Sequence, residues 1–245
     1  FFDLIEYLEK NLRGAVNGTV VFSNPVSDFL DKNRIQLKSL FVSDDYSLEI
    51  PEGEKGFLDF LADIEEDTSQ MNDEITAISA GMETMSSGIN ECTEEINRVQ
   101  KSGGNGTAAF VRKQSKKAAS YISEFSKQLK QHTESIQSLW AKIEKNTLGL
   151  LENEYAIKPE NKESLTDYIK ALHKMMLSIK EANQSVTVMK ETSLNNLGIE
   201  RSMNQSIRFL DQDLSEYLDM TEQMVKSIER IIGKSRFIIG DVPLV

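Results

Sequence analysis

Every third and fourth position from Phe57 gives Phe57, Leu61, Ile64, Thr68, Met71, Ile75, Ile78, Met82, Met85, Ile89, Cys92, Ile96 and Val99. The steps alternate four and three without a slip, and Thr68 is the single polar member. Such a 3.5-residue repeat keeps one apolar seam turned toward a partner helix as the two supercoil. It predicts a long coiled-coil helix over about 54–101. The same spacing recurs at Val111, Ser115, Ala118, Ile122, Phe125, Leu129, His132, Ile136, Leu139 and Ile143, with Tyr121 and Trp140 at its border. This is a second helix, about 108–154. Between the two lies Ser-Gly-Gly-Asn-Gly at 102–106, a strong turn sequence.

Pro159 breaks the pattern again, because proline removes a helix donor and restricts the residue before it. A third helix, about 162–194, places Leu165, Ile169, Leu172, Met176, Ile179, Val186 and Met189 on one face, with Asn183 intruding. Met203, Ile207, Leu210, Leu214, Tyr217, Thr221, Met224, Ile228 and Ile231 resume the repeat on a fourth helix, about 199–233. Asn195-Asn196-Leu197-Gly198 makes two helices joined in a hairpin the preferred reading over one long helix. Gly233 is expected to end the last helix.

The ends read differently. Phe1, Leu4, Ile5, Leu8 and Leu12 have helical spacing, 18–22 and 46–50 look like strands, and Asn24-Pro25 starts a short helix carrying Phe29 and Leu30. Residues 236–240 look like a further strand, able to join the N-terminal region. The expected fold is therefore mainly α. A long antiparallel four-helix coiled-coil bundle over 54–234 carries a small α+β end built from 1–53, joined by 235–245.

Charge sharpens the pairing. Glu54 to Gln100 holds twelve acidic and two basic residues, whereas Ala108 to Leu148 holds eight basic and three acidic. An acidic and a basic helix joined by a short turn favour a hairpin with each other. The whole chain carries −11, which on average repels nucleic acid, so no nucleic-acid partner is expected. Cys92, the single cysteine, permits no intramolecular disulfide and points to a reducing, cytoplasmic setting. No apolar run nears the roughly 18 residues of a membrane span. The chain does not begin with Met, which suggests a fragment of a longer protein.

Candidate chemistry is sparse. His132 on the second seam reads as a register-setting polar residue, and His173 as a solvated flank. Neither has ligands at metal spacing, and Gly103-Gly104-Asn105-Gly106 lacks the lysine of a phosphate loop, so no metal, cofactor or catalytic residue is assigned. Arg112, Lys113, Lys116 and Lys117 form the densest basic run. They either pair with Glu91, Glu94 and Glu95 across the turn or serve as an interaction site. The expectation is a non-enzymatic interaction, scaffold or signalling-accessory module that self-associates as a homodimer. Membrane contact is expected only through the basic tip. The alternative is a membrane-active, pore-forming-toxin-like protein that rearranges its hairpins. Met-rich seams favour that alternative, and the missing apolar tongue opposes it. An enzyme completed by upstream sequence is the third reading.

Overall fold

The computed structural model describes residues 24–32, 53–101, 107–153, 161–193, 201–240 and 243. Among them are five helices and no strand: α1 over 24–32, α2 Phe57–Lys101, α3 Thr107–Glu152, α4 Lys162–Ser193 and α5 Arg201–Ile239. The chain is mainly α. The readings at 1–22, 46–50 and the turns 102–106 and 195–199 lie outside the described residues, as do the side chains of Val186, Met189 and Met203.

Local chemistry explains the helix ends. The Gly56 N–H donates to Asp59 Oδ2 at 2.9 Å, so a carboxylate in the first turn of α2 satisfies a donor that the helix cannot. This places the start at Phe57 rather than Glu54. Gly240, with φ +82°, closes α5 by donating its N–H to the Arg236 carbonyl at 3.1 Å. Residues 234–239 are thus helical, which corrects both the stop at Gly233 and the strand expected over 236–240. The helix passes through Gly233 because the buried row continues beyond it, through Ser235 (0% exposed) and Ile239. A glycine inside a helix costs about 1 kcal/mol, less than burying another turn of that row returns.

Contacts divide the chain into two units. Among the described residues, unit 1 holds Glu74–Glu134 and Glu181–Thr221. Its α2 and α3 segments touch at Glu74 with His132, Gly88 with Tyr121 and Glu91 with Lys117, numbers that rise on one helix and fall on the other. Those two segments run antiparallel. Its α3 and α5 segments meet at Ser126 with Asp213 and at Lys130 with Glu216, rising together, so they run parallel. Met71 aside, the seam residues Ile75 through Ile96 lie here, and all are buried. Val99 is half-buried.

Unit 2 holds Thr19–Asp73, Ser135–Lys180 and Glu222–Val245. Phe57, Leu61, Ile64, Thr68 and Met71 are buried here with Ile136, Ile143, Leu150, Leu165, Ile169, Ile228 and Ile231. From α1, Val26, Phe29 and Leu30 are buried, and the Phe29 ring lies 5.4 Å from that of Tyr168. Tyr168 in turn shares a 2.8 Å hydrogen bond with Thr147, so its buried hydroxyl is satisfied. Asp67 with Lys142, and Asn153 with the Lys55 carbonyl, again pair rising with falling numbers.

Candidate functional site

In unit 1, helical spacing puts Arg112, Lys113, Lys116 and Lys117 on the outer side of α3, all exposed, while Ser115 among them and Ala118 just after them are buried. The basic run is therefore a solvent-facing strip whose backbone is held by a buried row. Lys117 is anchored across the helix pair. Its ammonium lies 3.5 Å from Glu91 and 5.7 Å from the centroid of the Tyr121 ring. Its proton is held more firmly than usual, chiefly by the Tyr121 phenol, with Cys92 and Glu91 adding and desolvation opposing. Glu91 is its carboxylate partner. Of the acids expected to pair across the turn, Glu91 does so with Lys117, whereas Glu95 bonds Arg98 on its own helix at 3.1 Å.

Behind the strip, Cys92 is 0% exposed, and burial pushes its thiol above the ordinary range against the opposing pull of Lys117. Such a thiol is a poor nucleophile. Next to it the α2 backbone is thin. The Tyr121 ring packs against Gly88, and Phe125 with Gln128 approach Gly81. Around Gly81 lies a groove of about 380 Å3, lined by Ala77, Ala80, Met85, Tyr121, Phe125 and His132.

His132 is half-buried on its seam, and its Nδ1 lies 2.5 Å from Glu74 Oε2 on α2. That pair supplies two ligand atoms, and among the described residues no three His, Cys, Asp or Glu side chains converge. His173 is half-buried rather than a solvated flank, since its turn also carries the buried Leu172 and Met176.

Sequence reasoning missed the polar pairs that lock the helices. In unit 1 these are Ser126 with Asp213, and Thr221 donating to Asn183 Oδ1 at 2.9 Å. In unit 2 they are Thr147 with Tyr168 and Asp67 with Lys142. A polar residue on an otherwise apolar row was the visible sign for Asn183 and Thr221. None of the described helices is long and apolar enough to cross a membrane. Comparison with protein-family models, with curated proteins and with solved structures finds no match to this chain.

Proposed function

We propose that the chain is a non-enzymatic interaction or scaffold module, a long antiparallel four-helix coiled-coil bundle that presents helix surfaces to partners and to a second copy of itself. The observation that carries this reading is the α2 seam. From Phe57 to Ile96 every seam position is buried in its own unit, so the apolar pattern serves folding and leaves polar outer faces for work. Long helices with filled seams hold their surfaces at fixed spacing, which suits coupling partners more than enclosing a substrate. The buried, unreactive Cys92 agrees with a reducing cytoplasmic setting. The strip Arg112, Lys113, Lys116 and Lys117 is the partner-facing surface, suited to an acidic protein segment.

The test has two arms: light scattering on the eluting protein, and affinity capture with the wild type beside an R112E/K113E/K116E/K117E variant. A homodimer that captures a protein which the variant fails to capture supports the reading. A monomer at 100 µM (on the order of a weak interface) that captures nothing overturns it.

A further inference from the structure

Among the described residues five buried side-chain polar atoms have no hydrogen-bond partner, and three of them lie in unit 2: Thr68 Oγ1 on α2, Trp140 Nε1 on α3 and Ser227 Oγ on α5. Their side chains belong to residues only 1%, 5% and 9% exposed. Buried polar groups are nearly always satisfied, and a buried tryptophan N–H usually finds an acceptor.

The register of the helices brings the three to one level. A Cβ at Gly149 of α3 would stand 2.9 Å from the Phe60 ring of α2, so those two positions face each other. Eight residues forward on α2 and nine back on the antiparallel α3 stand Thr68 and Trp140. Asp67 with Lys142 marks the same register from the next residue of α2. On the other side Arg230 and Lys234 of α5 meet Glu144 and Glu152 of α3 in rising order, so these segments run parallel. One turn before the first of those pairs, three residues on α5 and four on α3, stand Ser227 and Trp140.

We propose that Thr68, Trp140 and Ser227 hold one internal water molecule, a bridge that ties α2, α3 and α5 within unit 2. Space for it comes from two short hydroxyl side chains in rows of longer ones. Ile64 and Met71 flank Thr68, and Met224 and Ile231 flank Ser227, all buried. The donor inventory selects water. An indole N–H only donates, which rules out a cation, whereas each hydroxyl donates or accepts. Water takes the indole proton and gives one proton to each hydroxyl oxygen. That makes three bonds, the usual number for a buried water. An anion could take all three donors, but it would bring a second negative charge beside the buried Asp67. The bridge also accounts for Thr68, the single polar member of the α2 seam.

The experiment uses the full chain, in which Trp140 is the single tryptophan and reports alone. A crystal structure should show one water within about 3.2 Å of all three atoms. In solution the T68V/S227A variant, with both hydroxyls gone, should shift tryptophan emission to shorter wavelength at unchanged helical content. Its loss in urea midpoint should be smaller than the sum of the T68V and S227A losses, because either substitution alone already breaks the bridge. An indole bonded directly to either hydroxyl, or an anion at this point that bromide replaces, overturns the proposal. So do additive losses with unshifted emission. Should the double variant fail to fold, the wild-type crystal structure decides.

Discussion

A methyl group placed at Gly88 would stand 2.5–2.6 Å from three atoms of the Tyr121 ring. The ring therefore takes the space of a side chain that α2 lacks, and so brings Tyr121 beneath the Lys117 ammonium. Gly88→Ala gains about 1 kcal/mol of helix propensity but forces a half-buried ring to move. We expect a net loss of about 1–2 kcal/mol. Urea unfolding checks this, and Tyr121→Ala in the same chain should cancel the loss. An equal penalty in both backgrounds would point to the α2 backbone instead of the ring.

Gly233 is the counter-case. It lies within α5, its φ is ordinary, and nothing stands within 4 Å of an added Cβ. Gly233→Ala should stabilise the protein by about 0.5–1 kcal/mol, read as a higher thermal midpoint. A fall would mean that an added methyl group at this position is not accommodated.

The α2 seam makes a sharper demand. Ile78 is buried in unit 1, and Ile78→Asp places a carboxylate inside the apolar seam, at a cost of about 4 kcal/mol or more. Circular dichroism should show the cooperative melt lost or greatly lowered. An unchanged melt would mean that the seam is not buried.

Tyr217 makes a prediction in pH. Its hydroxyl is buried with no hydrogen-bond partner among the described residues, and burial pushes its pKa far above the ordinary tyrosine value. Above about pH 10 the unfolded chain releases that proton while the folded one keeps it. The unfolded state then binds fewer protons, and stability falls as pH rises. Tyr217→Phe should change stability at pH 7 by less than about 0.5 kcal/mol and flatten the decline between pH 9.5 and 11.5. Urea midpoints across that range provide the measurement. An unaltered slope would place the alkaline loss elsewhere, Tyr168 being the next candidate.

How much of this was legible in the sequence depends on the range of the interaction. The buried row of α2 is a property of one helix, and its spacing revealed it up to Ile96. The true end of α5 was equally local, but Gly233 drew attention from Ile232, Ser235 and Ile239, which carry the row onward. The ring against Gly88 was half legible: a glycine inside a repeat signals close approach, and only the fold says by what. Glu74 as the partner of His132 was not legible, because it depends on how far one helix is slid along the other. The exposed strip at 112–117 was readable from charge. The groove over Phe60 and Gly149 was not, since it needs residues from α2, α3 and α5 together.

Thr221 and Asn183 bear on that sliding. A helix built on a seven-residue repeat resembles itself when shifted by seven, as a ruler with unnumbered ticks does. The apolar row of α5 would read nearly the same one repeat away, but Asn183 would then lose the Thr221 hydroxyl that now donates to it. The pair numbers the ruler. Replacing both with isoleucine would yield a chain that still finds a helical partner surface, now with several alignments to choose among instead of one.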